Sequence, residues 1–352
     1  MNLSIFKIFG LSTFTFFLAF FLTPIFTHYL YKYKMWKKSS RSAENNPVSE
    51  EFKKIHNHEA EINTPRTGGV LIWGSTFLVA FLMWAIYKIF PTNLTTKLNF
   101  LSKNQTWLPL FVLLSASVVG LIDDLLQIYG GSRSDTFKDG LPRRLRILVV
   151  ALIGAIGAYW FYFKLGMHGI TIPVFGELNL GLLFIPFFII TMLAVFSGSV
   201  IDGVDGLAGG VMASIFTAYG GIAFFQNQIN IATFCMVVVA SILAFLWFNI
   251  PPARFYMGET GMLGLTATLT VIAFLTDAVA VLPIIAFPLV LESASVIIQK
   301  TSLRFFNKRV FRIAPIHHHF MAMGWSRERV TMRFWVVSIV FAILGMFLTL
   351  LK

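Results

Sequence analysis

Two aspartates stand side by side at Asp123 and Asp124, in Gly120-Leu-Ile-Asp-Asp-Leu. A second pair, Asp202 and Asp205, lies within Asp-Gly-Val-Asp-Gly-Leu-Ala-Gly-Gly. Asn249, Arg254 and Glu259 follow in Phe-Asn-Ile-Pro-Pro-Ala-Arg-Phe-Tyr-Met-Gly-Glu-Thr-Gly, and His317, His318 and His319 form a triplet behind Lys308, Arg309 and Arg312. Adjacent positions on a helix cannot share a face, so one aspartate of the first pair can hold a metal while the other meets reactants or a basic partner. The i, i+3 spacing of Asp202 and Asp205 brings both to one face if that stretch is helical, and the glycines around them permit tight turns. Five carboxylates on one surface repel one another without a cation. Oxygen ligands without a cysteine partner point to Mg²⁺ or Mn²⁺ rather than Zn²⁺. Arg143, Arg144 and Arg146 in Gly-Leu-Pro-Arg-Arg-Leu-Arg suit bidentate contact with phosphate oxygens, and imidazole suits hydrogen bonding to the same group near neutral pH. Carboxylates for a divalent cation, with Arg and His for oxyanions, describe a phosphoryl-transfer site. Each has an ordinary alternative: a solvated helix end for a carboxylate, an orienting charge for an arginine, an interfacial loop for the histidines.

The elements that must carry these residues are membrane helices. Of the 352 residues 57% are hydrophobic and only 12% charged, about half the charged fraction of a soluble domain. A spanning helix needs about 20 apolar residues, and ten stretches reach or approach that length: 5–30, 68–90, 107–127, 147–166, 181–200, 208–226, 230–250, 262–280, 281–303 and 331–351. The eighth and ninth are nearly fused, with Asp277 and Pro283 marking the expected turn and Pro288 a kink. The expected fold is therefore an all-α polytopic membrane protein, residues 1–352 forming one domain. Ten spans put both termini on one side. The connections 31–67, 128–146, 201–207, 251–261 and 304–330, with Lys300 and Arg333, hold 22 of the 28 Lys and Arg residues. Such an excess marks the cytoplasmic side, which places both termini outside and explains the net charge of +12 without nucleic acid. Every chemical cluster falls on that side. The loop 31–67, with Asn45, Asn46, Pro47, His56 and His58, is expected to be partly mobile, and the loop 304–330 carries the histidine triplet. The one cysteine, Cys235, sits in an apolar stretch and reads as a buried helix residue. A transporter is the alternative of a different class, but its ion sites lie near the bilayer midplane, where only Glu292 is found.

These motifs resemble the polyprenyl-phosphate N-acetylhexosamine-1-phosphate transferase superfamily, and within it the phospho-N-acetylmuramoyl-pentapeptide-transferase family, as a divergent member. The likeness runs from Thr64-Pro-Arg-Thr-Gly-Gly to the last span, and its most specific part is Lys308-Arg-Val-Phe-Arg-Ile-Ala-Pro-Ile-His-His-His-Phe, with Gly324-Trp325 and Arg333-Phe-Trp335. The resemblance implies transfer of phospho-MurNAc-pentapeptide from its UDP carrier to undecaprenyl phosphate, giving lipid I and UMP, in a Mg²⁺-dependent homodimer. It implies catalytic roles for Asp123, Asp124 and His317. Substrate contacts would fall to Asp202, Asp205, Asn249, His318, His319, Arg144 and Arg146. The cation would be held by Asp124 and Glu259, with Asp205 a further candidate. The chain departs from the family where Glu259 replaces an aspartate, Phe196 and Ser199 replace asparagines, Glu61 and Arg66 alter the Thr-Pro segment, and Arg146 replaces a lysine. These changes bear on contacts to the donor more than on the reaction class, so a relative moving another sugar phosphate, such as GlcNAc-1-phosphate, is the nearest alternative.

Overall fold

An apolar segment in lipid must satisfy its backbone groups internally, which leaves the helix as the available form for each long apolar run. The computed structural model describes residues 2–37, 63–101, 106–129 and 140–351, and the mobile stretch expected within 31–67 falls mainly outside them. The helices in chain order are α1 (Asn2–Lys32), α2 (Gly69–Ile89), α3 (Asn93–Leu98), α4 (Trp107–Tyr129), α5 (Arg143–Tyr159), α6 (Phe184–Ser197), α7 (Leu207–Phe225), α8 (Ile229–Asn249), α9 (Gly258–Leu275), α10 (Leu282–Ile285), α11 (Phe287–Phe306), α12 (Ile316–Ala322) and α13 (Arg327–Leu350). One antiparallel hairpin, β1 (Gly169–Ile172) with β2 (Gly176–Asn179), interrupts the helical pattern, Gly169 pairing with Asn179 and Ile172 with Gly176.

Among the described residues nine helical segments are long and apolar enough to cross a membrane, so the chain is a polytopic helical membrane protein. The segment at 281–303 is the one expected span that does not qualify. Pro288 does not kink a continuous helix there. It sits at the first turn of α11, where a missing N–H costs nothing, and a break at Ala286 separates α10 from α11. Glu292 and Gln299 on α11 are buried, and Lys300 and Arg304 follow, which lowers its hydropathy.

The centre of the bundle is built from α7, α8 and α9. Buried residues make up 83% of the apolar stretch of α9 and 78% of those of α7 and α8, against 28% for α5 and α13. The outer helices carry exposed Phe6, Phe9, Phe17 and Phe21 on α1 and Met332, Val336, Val340 and Ile343 on α13, a surface that suits hydrocarbon rather than water. Helix α9 packs along α4, α7 along α8 and α13, and α1 along α8. Small residues allow the closest of these approaches: a side chain on Gly69 of α2 would strike the backbone of Gly261, and one on Gly120 of α4 would strike the carbonyl of Glu259. Both contacts lie at the start of α9, so they fix the position of that helix end against α2 and α4.

Candidate active site

The start of α9 is where the acidic residues meet. Positions 123 and 124 diverge by about 100° around α4, and their partners differ accordingly. Asp124 turns to α9: its Oδ1 accepts the Glu259 N–H at 3.1 Å and its Oδ2 the Thr260 N–H at 2.9 Å. A carboxylate on the free N–H groups of a helix start satisfies orphan donors and meets the positive end of the helix dipole. Asp123 instead accepts Gln127 Nε2 at 3.0 Å and, in a short hydrogen bond, the Leu141 N–H. Gln127 in turn accepts Arg66 Nη1 at 3.1 Å, so Arg66 joins the cluster through the glutamine. Arg66 gets there because Pro65 O accepts the Tyr256 N–H at 2.7 Å while the Gly68 and Gly69 N–H groups donate to Tyr256 and Met257 carbonyls at 2.8 Å. Gly258 has φ +73°, and a side chain there would meet Arg66 O and Asp124 Oδ2, so both the turn and the space require glycine.

The second aspartate pair approaches the same turn from the α6–α7 connection. The segment is not a continuous α-helix: a 3₁₀ turn at Gly198–Ile201 ends at Asp202, and α7 starts only at Leu207. Asp202 and Asp205 therefore diverge. Asp202 Oδ2 accepts the Gly258 N–H at 3.2 Å, whereas Asp205 Oδ2 accepts the Ala253 N–H at 3.1 Å. Asn249 braces both loops, taking the Gly206 N–H on Oδ1 at 3.0 Å and donating Nδ2 to Phe255 O at 2.8 Å. Burial raises Asp202 to about 6, helped by the nearby charges of Glu259 and Asp205 and opposed by Arg66 and the Gly258 N–H. Burial also raises Asp205, against the Ala253 N–H and Arg327.

Arg146, near the start of α5, donates Nη1 to Glu259 Oε1 at 2.7 Å and lies 3.7 Å from Asp123 Oδ2. Its Nε is buried with no hydrogen-bond partner among the described residues. Arg144 is exposed and joins none of these contacts. On α12, His317 is fully buried and its Nδ1 lies 2.9 Å from Oε2 of the equally buried Glu292. A Cβ on Gly203 would lie 2.7 Å from His317 Nε2 and 3.4 Å from His318 Nε2, so both rings abut the turn between Asp202 and Asp205. His319 is turned to its own loop, where Nδ1 accepts the Arg312 N–H at 3.1 Å.

The structure thus brings Asp123, Asp124, Asp202, Arg146, Glu259, His317 and His318 to one end of the bundle, with Asp205 and Asn249 close behind and Arg144 and His319 apart from them. Reasoning from sequence passed over Arg66, Gln127, Gly203 and Glu292 as site residues. Gln127 carried a usable signal, standing one helical turn beyond Asp123; Glu292 stood out as a lone acid in an apolar run, but nothing in the sequence named His317 as its partner. Among the described residues no group of three or more His, Cys, Asp or Glu side chains is gathered as a closed metal cage. Asp124 and Glu259 nevertheless fit Mg²⁺ by donor chemistry, because that ion commonly takes one or two protein carboxylates and completes its shell with water and substrate phosphate.

A family model for glycosyl transferase family 4 matches residues 106–277, which include both aspartate pairs and the Glu259 turn. The phospho-N-acetylmuramoyl-pentapeptide-transferase of Chloroflexus aggregans is 34% identical over 351 residues, covering 95% of this chain and 88% of the relative. That of Geobacillus sp. strain WCH70 is 35% identical over 331 residues, 93% of each chain. That of Levilactobacillus brevis is 34% identical over 304 residues, covering 84% of this chain and 87% of its own. Identity of this degree over most of both chains means that the chain belongs to the phospho-N-acetylmuramoyl-pentapeptide-transferase family.

Proposed function

We propose that this protein transfers phospho-MurNAc-pentapeptide from UDP-MurNAc-pentapeptide to undecaprenyl phosphate, releasing UMP and forming lipid I for peptidoglycan. The reading places the site on the cytoplasmic face of a bacterial inner membrane, with α11 as a tenth crossing, both termini outside and two copies of the chain in a dimer. The observation that carries it is the convergence at the Gly258–Glu259 turn of carboxylates from three segments, Asp124 of α4, Asp202 of the α6–α7 connection and Glu259 itself, beside Arg146 and Arg66. Such a surface matches a diphosphate with its counter-ion better than a neutral sugar or an apolar solute.

Arg146 and Arg66 supply positive charge for the donor's phosphates, and Arg146 is the better placed, with one guanidinium nitrogen still to be satisfied. Asp123, held by Gln127 and the Leu141 amide, keeps a fixed orientation in which it can accept a hydrogen bond from the acceptor phosphate. That phosphate's second pKa is about 6, so orientation and charge contribute more than proton removal. Mg²⁺ would be held by Asp124 and Glu259, with Asp205 as a further candidate, and would neutralise charge on the diphosphate. His317 and His318 border the Asp202–Asp205 turn and can hydrogen-bond a phosphate oxygen there. The test uses purified protein in detergent with UDP-MurNAc-pentapeptide, undecaprenyl phosphate and Mg²⁺, following UMP and lipid I. Metal-dependent formation of both products supports the proposal. Turnover of UDP-GlcNAc in its place would reassign the donor, and no UMP from either would end the reading.

A further inference from the structure

Glu292 is a carboxylate in the second turn of α11, and nothing in the chemistry derived above uses it. A buried ionisable group among membrane helices is costly unless it is paired or serves a function. Its partner is specific: Oε2 lies 2.9 Å from Nδ1 of His317, and both side chains are wholly buried. The other ring nitrogen, Nε2, has no hydrogen-bond partner among the described residues, and neither has the other carboxylate oxygen, Oε1. Nε2 faces the exposed Gly203, where a Cβ would come within 2.7 Å of it. Nε2 is itself buried, and any side chain at Gly203 would press on it from the Asp202–Asp205 turn.

A neutral imidazole carries one proton, and a carboxylate on Nδ1 fixes where it sits. With Glu292 accepting Nδ1–H, Nε2 is left as the lone-pair nitrogen, and the ring plane is held by the carboxylate. When the ring is charged, Nε2–H donates toward the turn and the carboxylate balances the imidazolium. Either way the functional atom is Nε2, and Glu292 decides its orientation and its proton. We propose that Glu292 is a positioning residue for His317, holding a proton on Nδ1 so that Nε2 is turned to the Gly203 side, where it accepts from a protonated phosphate oxygen as the neutral ring and donates to an unprotonated one as the imidazolium. The arrangement is the logic of a histidine oriented by a buried acid, here turned toward a phosphate, which it binds as an oxyanion only when Nε2 carries a proton. The inference rests on the transfer reaction proposed above for its phosphate, while the tautomer itself does not depend on the donor's identity.

The direct test is ¹⁵N spectroscopy of the full chain labelled at histidine, in nanodiscs, with His317 assigned by its loss in His317→Gln. The expected wild-type signal is a proton on Nδ1 and a lone pair on Nε2, or protons on both. A neutral ring with its proton on Nε2 would overturn the proposal. Two variants then separate positioning from packing. Glu292→Leu removes the acceptor at similar volume and should move the proton toward Nε2, lowering kcat about 10- to 100-fold with KM for the donor changed less than about threefold. Glu292→Gln restores an acceptor for Nδ1–H and should recover most of the lost rate. A folded Glu292→Leu protein with wild-type kcat, or a glutamine variant as slow as the leucine one, would defeat the assignment. Should the leucine variant fail to fold, the wild-type spectrum still decides. A wild-type protein that shows the expected tautomer but releases no UMP from UDP-MurNAc-pentapeptide would count against the proposed reaction and leave the positioning role standing.

Discussion

Asp124 fills the free N–H groups at the start of α9, and in the proposed reaction the same two oxygens would also hold the cation. Asp124→Asn turns one acceptor oxygen into an NH₂ group facing an N–H donor. Loss of one charged hydrogen bond costs about 1.5–3 kcal/mol, so a lower thermal midpoint is expected in a protein that still folds. Metal-dependent UMP release should fall at least about a hundredfold, by the same loss of charge stabilisation that follows removal of a single oxyanion donor. Near-normal turnover would remove Asp124 from the site. Asp202 makes a prediction in pH. Its carboxyl is raised to about 6 in the folded chain, against about 3.9 for a free aspartate. Between those values the folded chain binds more protons than the unfolded one, so its contribution to stability declines as pH rises from about 4 to about 6 and is level above that. Midpoints measured across this window should fall more steeply with pH for the wild type than for Asp202→Asn; parallel curves would show that Asp202 titrates as an ordinary surface carboxylate.

At the level of elements, the site depends on helix ends held by short polar contacts, while the apolar flanks only carry those ends into place. The start of α9 is fixed through Gly69, Gly120 and Asp124, and the α6–α7 turn through Asn249. Residues 251–258 are thereby trapped between two aspartate-bearing segments. The opposite end of the molecule is organised in the same manner. The Asp277 carboxylate, just past the end of α9, accepts both the backbone N–H and the hydroxyl of Thr171 on β1. Sequence reasoning gave Asp277 only a turn, yet it ties the hairpin to the central helix. Asp277→Ala should raise amide hydrogen exchange across 169–179 at least about tenfold, matching loss of the 1.4 kcal/mol or more that two such bonds supply. The turnover of that variant should stay close to wild type, because the contact lies far along α9 from Glu259. Unchanged exchange would mean that strand pairing alone holds the hairpin.

Across the whole molecule, the transfer reaction requires the carboxylate end and the hairpin end to face opposite sides of a bilayer. Cys235 is the one cysteine and is buried, so thiol reagents find no native target at the surface. Val174→Cys at the exposed hairpin tip should react with an impermeant maleimide added outside intact cells, whereas Arg309→Cys should react only after the membrane is opened. Labelling of both from outside would overturn the orientation. The sequence alone determined the membrane class and, among the described residues, nine of the ten expected long helices, because hydropathy acts locally and adds along the chain. Residue types that suit phosphate chemistry, together with the family resemblance, pointed to the reaction class. Only the tertiary structure decided which residues of each cluster meet. Asp202 and Asp205 part company because they lie in a non-helical turn between the 3₁₀ turn and α7, where an i, i+3 spacing no longer puts them on one face. His319 and Arg144 stand apart from the neighbours that reach the site. The segment after α9 divides at Ala286, where the sequence suggested one kinked helix. Glu292, seen in sequence as an isolated acid within an apolar run, finds His317 across 25 residues of chain. Hydrophobicity selects which elements form, but hydrogen bonds and charge pairs depend on distances of a few tenths of an ångström between segments remote in sequence, and packing alone sets those.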